Sequence, residues 1–327
     1  MIFQLPLLFL RFFYTPSHLV SHQDLSMRQL ITPLIVLFLA VSTLQAEDPI
    51  NTYNGITAPL WNGEAPGAKG NTPADIPELT LHVPPADIKT DSAVIVLPGG
   101  GYGHTAITYE GHDVAHWFNQ RGVTAYVLRY RHAPGYQHPI PLMDAQHAIR
   151  IARSRAQELG YSPKKIGILG FSAGGHLAST TATHFDEGDT ASNDPIKSQS
   201  SRPDFAVLCY PVVTMQDDFT HKGSRNNLLG ADPDPKLVDD LSNELRVTPQ
   251  TPPTFLVHTN EDAAVAAENP VQFYLALRKA GVPAELHIYE EGRHGLGFGE
   301  RPNTPEAYQQ WPIALENWLK VHEIIKK

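Results

Sequence analysis

Gly170-Phe171-Ser172-Ala173-Gly174 sets a serine between two small residues that tolerate a tight, strained turn. The apolar run Lys165-Ile166-Gly167-Ile168-Leu169 precedes it and reads as a strand; Gly175-His176-Leu177-Ala178 follows and opens a helix. A serine on a sharp strand-to-helix turn stands clear of its own backbone, as a nucleophile must. Isolated matches to Gly-x-Ser-x-Gly are common, so the weight falls on whether the partners of such a nucleophile lie where the chemistry needs them. Acyl transfer needs a base, an orienter for the base and donors for a developing oxyanion. Asp262, in Thr259-Asn260-Glu261-Asp262, and His294, in Glu291-Gly292-Arg293-His294-Gly295, each follow an expected strand. Glu261 is the rival to Asp262. Pro98-Gly99-Gly100-Gly101-Tyr102 follows the run Ala93–Leu97, and its glycines leave backbone N–H groups unshielded; the N–H of Ala173 would complete an oxyanion hole.

The elements that must position these groups alternate along the chain. Strands are expected at 79–83, 93–97, 123–130, 165–169, 205–210, 254–258 and 285–289. Helices are expected around Val114, Trp117 and Phe118; from Leu142 to Leu159; from an Asn269 cap onward with Val271, Tyr274 and Leu275 on one face; and at the end with Trp311, Leu315, Trp318 and Leu319 aligned. Such alternation predicts an α/β fold with a mostly parallel central sheet and helices on both faces. Loops after the carboxyl ends of parallel strands share one edge, so Ser172, Asp262 and His294 can meet although far apart in sequence. The order Ser…Asp…His is that of an α/β-hydrolase. Residues 211–253 break the rhythm with a polar, turn-rich stretch holding short helices near 228–230 and 237–245, read as an insertion of cap or lid type.

The glycine loop at 97–102, the elbow at 170–175 and the tail from Asp262 to His294 resemble α/β-hydrolase serine carboxylesterases, in the branch related to acetylxylan and feruloyl esterases of polysaccharide-degrading bacteria. Pro59-Leu60-Trp61 through Ala65-Pro66-Gly67 and Pro139–Ala145 are similar to that branch as well. The resemblance implies Ser172 as nucleophile, Asp262 as acid, His294 as base, and Gly100, Gly101 and Ala173 as oxyanion donors. It implies short-acyl, above all acetyl, esters on plant or algal polysaccharide as substrates. One departure stands out: Ala263-Ala264-Val265-Ala266 replaces the Pro-Val-Val-Pro usual after the acid. A prolyl-oligopeptidase-like serine peptidase is the alternative activity. Tyr102, His104 and His176 flank the motifs as candidates for substrate contact, with packing as the other reading of each.

Composition bounds the rest. The 327 residues carry a net charge of −9 and no long basic run, which argues against a nucleic-acid partner. Neither a cofactor nor a metal is expected. No Gly-Lys-Ser/Thr follows the glycine loop, and His112 and His116, four apart, lack a clear third zinc ligand. The single cysteine, Cys209, sits in an apolar run and reads as a buried thiol. Met27-Arg28-Gln29, the apolar run 30–44 and Ala46 make a secretory signal with an upstream extension, leaving one domain over 47–327. Translation from Met1 or Met27 stays open. Export to the periplasm or the medium follows, with a membrane anchor through residues 30–44 as the alternative and no stable membrane partner otherwise.

Overall fold

The computed structural model describes residues 55–216 and 218–326; the signal and its extension lie outside the described residues. Eight strands form one sheet: β1 (Ile56–Pro59), β2 (Glu78–His82), β3 (Ala93–Leu97), β4 (Thr124–Arg129), β5 (Ile166–Phe171), β6 (Phe205–Cys209), β7 (Thr254–Thr259) and β8 (Ala284–Tyr289), in the order β1-β2-β4-β3-β5-β6-β7-β8. From β4 to β8 every pairing is parallel, while β1 and β2 pair antiparallel at one edge. β3, β5, β6 and β7 are buried along their whole length, and β3, β5 and β6 accordingly carry no polar side chain. Alternate side chains feed two cores: Ile95 and Leu97 join one, Val94 and Val96 the other.

Helices α2 (Ile140–Ser154), α3 (Ser172–Thr183) and α6 (Glu268–Lys279) cover the first core; α1 (Asp113–Asn119) and α7 (Trp311–Val321) cover the second. The buried faces of α2 (Ala145, Ala148, Ile149, Ala152) and α7 (Trp311, Leu315, Trp318, Leu319) match the expected stripes. Because β4 and β5 flank β3, the chain reverses direction across the sheet between β3 and β5. That reversal opens a crevice at the carboxyl edge, where open α/β sheets bind ligands. The glycine loop and the serine turn leave those two adjacent strands.

Several local expectations are corrected. A five-residue π-helical turn, Thr108–His112, precedes α1. α2 ends at Ser154, and turns carry the chain on to Gly160. Asn269 lies inside α6 rather than capping it: its Oδ1 accepts from the N–H groups of Val213 and Thr214, and its amide donates to the Phe219 carbonyl. The buried face of α6 is Phe273 and Leu277, with Leu275 exposed. Between β6 and β7 lie α4 (Lys222–Leu229), α5 (Pro235–Asp240) and a 3-10 turn at Asn243–Leu245. Among the described residues no helix is long and apolar enough to cross a membrane.

Candidate active site

Ser172 begins α3 directly after β5 with φ 53°, a left-handed conformation strained for a side-chain-bearing residue. The two flanking glycines make that turn sterically feasible. A Cβ on Gly170 would stand 2.1 Å from the Gly174 carbonyl oxygen, and one on Gly174 would stand 2.2 Å from the Leu97 carbonyl oxygen. Those clashes are with backbone, so nothing larger fits at either position.

Ser172 Oγ lies 2.8 Å from His294 Nε2, and His294 Nδ1 lies 2.5 Å from Asp262 Oδ2. With Nδ1–H donating to the carboxylate, Nε2 keeps its lone pair for the serine hydroxyl proton. The other oxygen of Asp262 accepts from the N–H groups of Ala264 and Val265, each at 2.9 Å. The Ala263–Ala266 stretch therefore wraps the carboxylate without the two prolines of the related pattern. Burial alone raises the Asp262 pKa; the hydrogen bond and charge of His294, the Val265 N–H and the His258 charge outweigh it, so the net shift is below the ordinary 3.8. Glu261 points elsewhere and accepts from the Gly292 N–H. His258 is fully buried: its Nε2 donates to the Val265 carbonyl, and desolvation holds its pKa low.

The glycine loop faces this chain of side chains. Gly100 and Gly101 adopt φ of 134° and 63°, and among the described residues their N–H groups make no backbone hydrogen bond. The Ala173 N–H, in the first turn of α3, has no intrahelical partner by construction. The loop comes closest to the nucleophile at Gly99, where a Cβ would stand 3.0 Å from Ser172 Cβ.

Two candidates for substrate contact are corrected. Tyr102 and His176 are buried, and Tyr102 Oη meets His176 Nδ1 at 2.9 Å. His176 Nε2 donates to the Leu241 carbonyl, and desolvation drops its pKa to about 3, so it stays neutral and structural. Each stands next to a site motif in sequence while its side chain turns into the first core. His104 is exposed at the rim of the glycine loop. His112 meets His82 through ring nitrogens 3.1 Å apart, and His116 meets the Gln120 amide, so the two rings have different partners. Among the described residues no group of three or more His, Cys, Asp or Glu is arranged to hold a metal ion.

Sequence reading missed three residues. Glu110, buried beneath the site, accepts from the Gly99 N–H at 2.8 Å and from Tyr210 Oη at 2.6 Å. Tyr210 Oη also accepts from the Gly297 N–H, and its ring packs edge-on to His294 with centroids 4.9 Å apart. Glu110 therefore ties the glycine loop to the loop that carries the histidine. Desolvation raises its pKa; Tyr210, Gly99 and the His294 charge oppose that shift. A signal was present, since Glu110, Val114 and Phe118 share one helical face and a charge on an apolar stripe calls for a buried partner. His221, the third, caps α4 through Nδ1, and its Cε1 comes within 3.9 Å of where a Gly101 Cβ would stand. Burial first, then the His294 charge, lowers its pKa.

Residues 79–277 match the BD-FAE family model. The chain belongs to the BD-FAE family. It is 36% identical over 232 residues to an acetylxylan esterase of Xylanibacter ruminicola, covering 70% of this chain and 45% of that protein. It is 38% identical over 225 residues to endo-1,4-beta-xylanase B of Butyrivibrio fibrisolvens, covering 68% of this chain and 35% of that one. The chain thus spans less than half the length of these two curated relatives. Among solved structures, the acetyl ester-xyloside bifunctional hydrolase from Caldicellulosiruptor lactoaceticus superposes with a TM-score of 0.77 at 45% identity, over 83% of this chain and 97% of that one. The BD-FAE match and these neighbours agree with the α/β-hydrolase fold of the sheet and its helices.

Proposed function

We propose that this BD-FAE chain is a serine carboxylic ester hydrolase that works through an acyl-enzyme on Ser172. The continuous hydrogen-bonded chain Ser172–His294–Asp262, facing the N–H groups of the glycine loop, carries the proposal. His294 Nε2 takes the hydroxyl proton as Ser172 Oγ bonds to the ester carbonyl carbon. Asp262 holds the imidazole in the Nδ1–H tautomer and stabilises the imidazolium. Gly100, Gly101 and Ala173 donate to the oxyanion, each worth ~3–4 kcal/mol at the transition state. The tetrahedral adduct collapses as His294 returns the proton to the departing alkoxide. Water, deprotonated by His294, then releases the acid and frees Ser172. Glu110 acts as a positioning residue: it holds Gly99 and, through Tyr210, the histidine loop.

The names of the relatives, an acetylxylan esterase and an acetyl ester-xyloside hydrolase, support acetyl or other short-acyl esters on polysaccharide as substrates. The peptidase alternative gains no observation of its own. Export, with the signal starting at Met27 and the mature domain from 47, accords with a polymeric substrate outside the cell. Sequencing the N-terminus of the exported protein tests it, and retention of residues 30–44 in a membrane fraction would favour the anchor instead.

Ser172→Ala should lower ester hydrolysis by about 10⁴-fold or more with an unchanged circular dichroism spectrum. It should also abolish labelling by a fluorophosphonate. Turnover at the wild-type rate by that variant would end the proposal.

A further inference from the structure

The connection between β1 and β2, from Leu60 to Pro77, holds no helix or strand. It exceeds the ~12–15 residues beyond which structureless loops in compact domains are usually functional. Pro59 pairs with Glu78, and Glu78 pairs with Arg129 at the carboxyl end of β4. The connection therefore emerges at the same sheet edge as Ser172, three to four strands from β5, or roughly 14–19 Å at ordinary strand spacing. It encloses a cavity of about 560 Å³ whose walls include Trp61, Glu64, Lys69, Asn71, Asp75 and Ile76.

The aromatic wall is mounted before any ligand arrives. Trp61 Nε1 donates to Asp144 Oδ1 at 2.9 Å, and its ring stacks on His147 with centroids 3.7 Å apart and planes 3° from parallel. Asp144 is itself gripped by Arg131, whose Nη1 donates to the Pro66 carbonyl. On the far side, Tyr136 Oη donates to Asp75 and accepts from the Lys69 N–H. Turning a hairpin requires none of this. The chemistry of the walls is specific too. Both oxygens of Asp75 are already taken up by Thr72 and Tyr136. The wall charges left to meet a ligand, Glu64 and Lys69, are opposite, so neither an anion nor a cation is strongly favoured. Asn71 adds a donor and an acceptor, and Trp61 with Ile76 adds apolar surface. A neutral ligand with one apolar face and a rim of hydroxyls fits this set, and a pyranose ring is such a ligand.

We propose that the 60–77 loop is an accessory carbohydrate subsite that takes neutral pyranoside units of the polymer whose ester lies at Ser172. The inference rests on the polysaccharide reading above. Its test measures kcat/KM on acetylated xylo-oligosaccharides of increasing length, with a small aryl acetate as reference. Trp61→Ala is one variant; because Trp61 also braces Asp144, the double variant Lys69→Ala/Asn71→Ala, at exposed positions, is the second. In the wild type, kcat/KM should rise about tenfold, through KM, once the oligomer reaches the loop. In the double variant the rise should vanish while aryl acetate turnover is unchanged. A wild type without length dependence, or a double variant that keeps it, would overturn the subsite. Should acetylated xylo-oligosaccharides not be hydrolysed at all, the polysaccharide reading fails separately. The subsite then stands or falls on whether unsubstituted xylo-oligosaccharide perturbs the indole fluorescence of Ser172→Ala protein in a manner lost in Trp61→Phe.

Discussion

The two halves of the carboxyl edge are built on different plans. Over β3, β5, β7 and β8 the reactive groups sit on short turns at the ends of strands, and backbone sterics fix them: Gly170 and Gly174 against carbonyl oxygens, Ser172 at φ 53°. Over β1 and β2 a long loop is fixed by side chains, with Trp61 on Asp144, Pro66 on Arg131 and Asp75 on Tyr136. The first plan delivers reacting atoms to within hydrogen-bonding distance and leaves little room to vary. The second holds a surface whose chemistry can change while its pins remain. Chemistry and recognition are thereby separated along one edge.

If the division holds, the largest losses of activity come from the first half with little change in stability. Asp262→Asn should lower kcat by about 10⁴-fold, because the amide favours the wrong imidazole tautomer. Glu261→Gln, whose parent carboxylate accepts from the Gly292 N–H and not from His294, should leave kcat within a few-fold of wild type. Steady-state kinetics on an aryl acetate separates the two, and an equal loss in both would erase the distinction between the neighbours.

The second half should respond in the opposite way. Asp144 and Arg131 form a buried pair with side chains 0% and 1% exposed. Asp144→Asn leaves the guanidinium uncompensated and should cost about 3–5 kcal/mol, read as a lowered urea midpoint. Where the variant still folds, its kcat on an aryl acetate should stay near wild type. A variant as stable as the wild type would show that the loop is not pinned through this pair.

This division also explains what was legible in the sequence. The elbow and glycine loop could be read because close backbone approach admits only glycine, and that restriction is written in consecutive residues. Asp262 and His294 could be read because strands announce themselves in sequence, β7 by the buried core Phe255-Leu256-Val257 and β8 by alternation of polar and apolar residues, and the reactive groups follow their ends. Side-chain pins leave no such local trace. Glu110 meets Tyr210 from 100 positions away, and Trp61 meets Asp144 from 83. Tyr102 and His176 misled for the converse reason: adjacency to a motif fixes where a backbone runs, not which way a side chain turns. Asn269 looked like a cap because Asn before Pro opens many helices, yet its amide serves the Val213–Thr214 loop instead.

Glu110 sharpens the comparison, because it is a side-chain pin inside the first half. Its carboxylate accepts from Gly99 and Tyr210 on separate oxygens, whereas an amide has only one acceptor oxygen. Glu110→Gln should therefore shift either the oxyanion loop or the histidine loop and lower kcat by about 10–100-fold. KM for a small ester should hold. A loss confined to KM would argue that Glu110 shapes the pocket and not the reacting geometry.

The smallest effect lies in the pH dependence of stability, where the two buried carboxylates near His294 shift in opposite directions. Asp262 has a folded pKa below 3.8, so its contribution to stability is present above the unfolded value and is lost as pH falls through the folded one. Glu110 has a folded pKa above 4.5, so its contribution is full below that value and is lost as pH rises through the folded one. Urea midpoints measured across the acid range should show both slopes in the wild type. Glu110→Gln should remove the loss on the rising side and keep the acid loss; Asp262→Asn should do the reverse. The two variants would flatten the same limb only if the carboxylates titrated as one unit, and the carboxylate that orients the base would then be inseparable from the one that braces the loops.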